Sequence, residues 1–159
     1  MVTPDLYRQV MSNWGTGVTV VTTRDDSGQP YGLTVSSFTS VSMNPILVLV
    51  CLDDRLSGLQ HFRNSMHFGV SVLSEAQQEV SRLFAKKDTV RPAELYCDGE
   101  TGLPLIRDSL ATLECKTVAQ YAGGDHTIFM GEVIAAALPS NMQGAKPLLY
   151  FRGKYERLP

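Results

Sequence analysis

The stretch GLTVSSFTSVSMNP, Gly32–Pro45, decides how this chain is read. Six of the nine residues from Thr34 to Ser42 carry a hydroxyl, yet the run lies between a β-branched piece, Val18–Thr23, and a strongly apolar one, Ile46–Cys51. A buried hydroxyl without a partner costs about 1–3 kcal/mol, so these groups must meet water, backbone or a polar ligand. Local pattern leaves two readings open. In one, Leu33–Ser37 is a strand with Leu33 and Val35 inward and Thr34 and Ser36 outward, and a solvated loop follows that satisfies itself through local backbone bonds. In the other, hydroxyls and serial N–H groups cradle a phosphate and the polar edge of a flat ligand, an anion nest that needs no basic side chain.

Outward from this run, the flanks read mostly as strands. Val18–Thr23 is bounded by Asp25-Asp26-Ser27-Gly28, a turn signal that leads into a second strand from Tyr31, which predicts a hairpin. Ile46–Leu52 is apolar at every position and is read as a central strand covered on both faces. Upstream, Thr3-Pro4-Asp5 predicts an N-cap and a short opening helix, with Leu6, Val10 and Met11 facing inward. Downstream, Leu56–Phe62 fits a helix and HFGVSVL a strand. Ser74 with Gln77 gives a capping box for the helix SEAQQEVSRLF, whose Ala76, Val80 and Leu83 share one face.

Ala85–Pro104 reads as an irregular, mobile loop. LATLECKTVAQYA and HTIFMGEVIAAAL, joined at Gly123-Gly124-Asp125, predict a long antiparallel pair, and PLLYFRGKYERL closes the chain with a last strand pair. Trp14 and Phe38 are read as barrel packing and Cys51 as a small core residue. The sum is one domain, residues 1–159, mainly β and antiparallel, a small barrel of six or seven strands with a few short helices.

Composition excludes several function classes. The chain has 159 residues, a formal net charge of −2 and a mean hydropathy of −0.04, with no basic stripe to neutralise a phosphate backbone, so nucleic acid is not an expected partner. No apolar run approaches the roughly 20 residues that span a bilayer. The N-terminus lacks a basic-then-apolar signal, and Cys51, Cys97 and Cys115 form no CxxC pair, so a cytoplasmic location is expected. Gly15-x-Gly17 meets Val20 where a dinucleotide fingerprint needs glycine, and no P-loop occurs. His61, His67 and His126 have no metal-ligand spacing, so no metal is expected.

The order of motifs says more than any one of them. TVSS with FTSVSMNP, then LVLVCL, FGVSVL, LFA, GLPL, GDHTIFMGEV and PLLYFRGKY, resembles the flavin reductase-like family from about Met11 to Tyr155. The resemblance implies an FMN-binding split β-barrel, usually a homodimer, which takes hydride from NADH or NADPH and reduces FMN or FAD for a flavin-dependent monooxygenase. It implies that Thr34, Val35, Ser36 and Ser37 meet the flavin ring edge and ribityl chain. Cys51, Leu52 and Asp53 then lie along the ring, Ser57 toward the phosphate, and Phe84 and Lys87 at the phosphate or adenine side. His126 falls where the family places a residue beside the nicotinamide, with Tyr155 close to the same region. Hydride transfer of this kind needs stacking and orientation more than a strong general acid, because the flavin accepts the electrons. A flavoprotein that retains FMN for its own substrate, and a non-catalytic FMN-binding electron-transfer module, remain open alternatives.

Overall fold

Local signals set the first elements. Thr3 Oγ1 accepts the Leu6 N–H at 3.2 Å and caps helix α1, Pro4–Met11. The computed structural model describes residues 1–87, 89–140 and 144–159. No helix among them is long and apolar enough to cross a membrane. After the short strand β1, Thr16–Gly17, the chain runs through β2, Thr19–Arg24, and turns at Asp25–Gly28 into β3, Pro30–Val35. That turn is held by the Asp25 carboxylate, which accepts the N–H groups of Ser27 at 2.9 Å and Gln29 at 2.8 Å. Gly28 sits there at φ 81°, a conformation only glycine takes at little cost.

β4, Thr39–Met43, and β5, Ile46–Asp53, form the next hairpin, so the hydroxyl run does not continue as a solvated loop but folds into an edge strand. Helix α2, Leu59–Ser65, and strand β6, His67–Val72, follow. The Ser74–Gln77 capping box is present; it heads a short 3₁₀ turn, Glu75–Gln77, that feeds helix α3, Gln78–Ala85. Much of the segment expected to be irregular is built: β7, Tyr96–Asp98, pairs with β8, Pro104–Ile106. The long pair is β9, Ala111–Ala122, with β10, His126–Ala137, and β11, Leu149–Phe151, pairs with β12, Lys154–Glu156, and with β1.

Seven strands form one antiparallel sheet in the order β3-β2-β6-β9-β10-β5-β4. Its inner face encloses a core of Val21, Leu33, Val35, Val48, Val50, Leu52, Phe62, Phe68, Val70, Cys115 and Phe129. A second core, containing Val18, Val20, Leu73, Phe84, Tyr96, Ile106 and Leu148, packs α3 and the small strands against the outside of β2. Thus β2 is the strand buried on both faces. Its threonines hide this from a hydropathy pattern because each hydroxyl finds a carbonyl: Thr19 donates to Val35 O at 2.9 Å, Thr23 to His67 O at 2.9 Å, and Thr22 to Pro104 O.

Three expectations are corrected. β5 lies next to the sheet edge, with Val48, Val50 and Leu52 in the core but Leu47, Leu49 and Cys51 only half-buried on the other face. Leu6, Val10 and Met11 are exposed, as is Trp14, so α1 offers an apolar face that nothing in this chain covers. Val80 and Leu83 pack against the second core as expected, beside the fully buried Gln77, Ser81 and Phe84, but the 3₁₀ start rotates Ala76 out to solvent. Glu114 lies on the face of β9 opposite Cys115 and is still 3% exposed, because the β7–β8 turn covers it and gives its carboxylate the Glu100 and Thr101 N–H groups.

Gly131 in β10 leaves the space that the inner core uses. A Cβ there would stand 2.4 Å from Cζ of Phe68 and 2.9 Å from Cβ of Cys115. Gly131→Ala is expected to destabilise by about 1–3 kcal/mol through overpacking, seen as a lower urea midpoint with unchanged slope.

Candidate functional site

Two neighbouring features gather the polar chemistry: a cleft beside β3 and a charged corner at the ends of β5 and β10. The cleft has a volume of about 750 Å³ and runs along Pro30–Thr34, Arg55–Ser57, Phe84–Lys87, Thr89–Arg91 and Tyr96. Its cations are Arg55, Lys86, Lys87 and Arg91, and no carboxylate lines it among the described residues. Gly58 lets the floor close. A Cβ there would lie 2.0 Å from the Tyr31 ring, so the β5–α2 turn can approach that aromatic wall only with glycine.

One wall is unusual in its hydrogen bonding. The Arg91 guanidinium stands 5.6 Å over the Phe84 ring and donates to Lys86 O at 2.7 Å and to Thr89 O. Phe84 meets Tyr96 edge-on at 5.6 Å. Arg91 Nε and the Tyr96 hydroxyl are buried and have no hydrogen-bond partner among the described residues. Burial pushes the Tyr96 phenol up to about 12, which keeps it a donor at any ordinary pH.

The hydroxyl run splits by role. Thr34 lines the cleft and donates to Ser81 O at 2.7 Å; the Ser81 hydroxyl in turn meets the Tyr155 hydroxyl at 2.8 Å. Ser37 Oγ donates to Cys51 O at 2.8 Å and accepts the Cys51 N–H at 3.2 Å, joining the end of β3 to β5 across the open side of the sheet. Thr39 and Ser42 bond locally, to Ser40 O and from Asn44 N. Ser36 is exposed.

The corner is electrostatic. His126 faces Asp53 across the β10–β5 ladder, and its Nδ1 lies 2.7 Å from Asp125 Oδ1. The hydrogen bond from His126 holds the Asp125 carboxyl below its ordinary range, so the carboxylate accepts, Nδ1 carries the proton and Nε2 is left as the free nitrogen. Asp53 is held far below the usual range first by the Arg55 side chain, which grips it at 2.6 and 3.0 Å. Arg55 also lines the cleft, so the corner and the cleft share one residue. Burial raises the Cys51 thiol, which leaves it protonated at neutral pH and unsuited to act as a nucleophile.

Of the residues singled out from sequence, Thr34, Ser57, Phe84 and Lys87 line the cleft. Ser36, Ser37, Cys51, Asp53 and His126 lie outside its lining, at the seam and the corner. Val35 and Leu52 turn their side chains into the inner core, which leaves only their backbone for a ligand. Tyr155 is behind α3 and acts on Thr34 through Ser81. Sequence reasoning missed Tyr31, Arg55, Arg91 and Tyr96. The Lys86-Lys87 pair and Arg91 were the available signal, a cation cluster just beyond a helix end.

Comparison with known proteins shows what the chain is similar to. Residues 11–159 match the flavin reductase like domain. The chain is 35% identical over 158 residues to the NADH-dependent flavin reductase StyB of Pseudomonas fluorescens, covering 96% of this chain and 89% of that protein. It is 34% identical over 149 residues to the reductase component of the 4-nitrophenol 4-monooxygenase/4-nitrocatechol 2-monooxygenase of Rhodococcus opacus, covering 94% and 78%. Among solved structures it resembles the Streptomyces globisporus C-1027 NADH:FAD oxidoreductase SgcE6 in complex with NAD and FAD fragments, with TM-score 0.90 and 37% identity over 100% of this chain and 96% of that one.

The two adjacent serines should behave differently on removal. Ser37→Ala strips two backbone groups of their seam partner and is expected to cost about 1–3 kcal/mol in chemical denaturation. Ser36→Ala is expected to stay within about 0.5 kcal/mol of the parent.

Proposed function

This chain belongs to the flavin reductase-like family, and on that premise we propose that it transfers hydride from NADH or NADPH to a flavin held in the cleft beside β3. One observation carries the reading: a cleft with four cations, no lining carboxylate among the described residues and unpartnered buried donors is built for a polyanionic ligand with a flat apolar part. Its residues fit a flavin nucleotide. Lys87 and Ser57 supply a cation and a hydroxyl for phosphate, and Thr34 with the backbone after it faces the ring edge. A bound flavin supplies the electron acceptor for the nicotinamide hydride.

The protein supplies position. The Ser37–Cys51 seam fixes the backbone on which the ring edge rests, so the acceptor is held without a reactive side chain. We assign the nicotinamide to the His126 corner. Asp125 fixes the imidazole tautomer, and the outward Nε2 is free to accept from the carboxamide. The reacting atoms need to come within about 3–3.5 Å, and orientation of two planar partners accounts for much of the rate.

We read the second face of β5 and β10 as the contact between two copies of the chain. Leu49, Met130 and Ala119 share one cross-strand row and Cys51, Ile128 and Tyr121 the next, an apolar surface flanked by exposed Val41, Met43, Val118 and Ile134. Chains of this family found as reductase components suggest a flavin-dependent monooxygenase as receiver of the reduced product. Three free thiols suit the reducing cytoplasm, where NADH and NADPH are formed.

Anaerobic stopped-flow mixing tests the reading. NADH or NADPH should bleach added FMN or FAD in the presence of the protein; a protein-bound flavin that neither nucleotide reduces would overturn it. His126→Ala is expected to raise KM for the nicotinamide donor about tenfold, the loss of one good hydrogen bond, with flavin affinity unchanged. Sedimentation should give a dimer.

A further inference from the structure

His126 is the first residue of β10, directly after the Gly123–Asp125 turn, and its side-chain hydrogen bond among the described residues goes to Asp125 in that same turn. The pair therefore has no side-chain anchor outside the turn it belongs to. Gly124 stands there at φ 77°, and a strand end beside such a turn frays most readily. What holds it lies on the other side of the strand. Side chains alternate across a strand, so His126 faces outward with Asp53, while Thr127 faces inward with Leu52 and is 6% exposed.

Thr127 is clamped from two directions. Its hydroxyl donates to Asp54 Oδ1 at 2.6 Å and accepts from an Arg63 guanidinium N–H at 2.9 Å. Asp54 holds the same strand end a second time, its N–H donating to Asp125 O at 3.0 Å. Arg63 comes from the last turn of α2. That helix is seated in the inner core by Leu59 and Phe62, and the Phe62 ring lies 6.2 Å from the ring of Phe129 on β10. The direct Arg63–Asp54 separation is 3.8 Å with both side chains part-exposed, an ion pair of little worth by itself. The charge-assisted bonds through the buried threonine carry the clamp.

Asp54 also belongs to the β5–α2 turn that supplies Arg55 and Ser57 to the cleft. One clamp thus ties the corner to an edge of the cleft, and hydride transfer is steep in that relation: a misplacement on the order of 1 Å can cost about a hundredfold in rate. We propose that Arg63, acting through Thr127 and Asp54, is a positioning residue for hydride transfer, setting His126 relative to the cleft without touching either ligand. The proposal rests on the reading of the corner as the nicotinamide site and adds to it what holds that corner in place.

Two measurements on the parent, Arg63→Ala, Thr127→Val, the double variant and His126→Ala test this. The first is hydrogen exchange of the flavin-free protein, in which amides of Asp125–Ile128 should exchange about fivefold faster in Arg63→Ala. The second is anaerobic single-turnover stopped-flow on protein preloaded with FAD, using NADH and NADH dideuterated at the reacting carbon. Arg63→Ala should slow the limiting rate of flavin bleaching and weaken NADH, each about fivefold, with FAD affinity unchanged. The slowed step should keep a deuterium isotope effect at least as large as the parent's, the mark of hydride transfer itself. A misfolded fraction would lower the amplitude and leave the rate alone. The double variant should be no slower than the slower single variant, because both remove one clamp. Unchanged exchange or bleaching in Arg63→Ala, an equal loss of FAD affinity, a loss of amplitude alone, or losses that multiply in the double variant would overturn the clamp. If His126→Ala also leaves NADH binding unchanged, the nicotinamide assignment falls as well; if it weakens NADH, that assignment stands and only the role of Arg63 is lost.

Discussion

The double hydrogen bond between the Ser37 hydroxyl and the Cys51 peptide is the constraint on which the site depends. The seven-stranded sheet leaves β3 and β4 as its two ends, and a sheet that curls into a barrel must do something with the polar groups along that open line. Beyond the end of β4, Cys51 has no strand on that side, and Ser37 fills the place with one side chain that both gives and takes. The solution costs no extra strand.

Around that junction the chain separates holding from reacting. The cleft carries positive charge and aromatic surface, while the corner carries the histidine and three carboxylates, Asp53, Asp54 and Asp125. Arg55 belongs to both, and its ion pair with Asp53 prevents the carboxylate from facing the cleft as a bare negative charge.

Much of the fold was legible because it is encoded locally. Thr3-Pro4 names a helix start, Asp25–Gly28 a hairpin, and Gly123–Asp125 the turn of the longest strand pair, each by residues within reach of one another. What was misread depended on distant partners. β5 looked like the strand buried on both sides because every residue in it is apolar, while β2 truly is so, its threonines satisfied by carbonyls from β3, β6 and β8. Glu114 is buried because the β7–β8 turn folds over its face of β9, a contact that sequence spacing does not reveal. Of the hydroxyl run, only Thr34 lines the cleft. Tyr96 could not be found from sequence, since an unpaired hydroxyl has no signature until its surroundings are known.

The relay from Thr34 through Ser81 to Tyr155 joins the cleft to the last strand pair. Tyr155 is further pinned by Tyr150 at 5.5 Å and by the Arg82 guanidinium above its ring. Through Ser81 and Arg82, α3 touches both the cleft wall and the terminal hairpin. A ligand that bound only while α3 stays docked on that hairpin would shift β11 and β12 toward their paired state, and by reciprocity a firmer terminal hairpin would raise its affinity by the same factor.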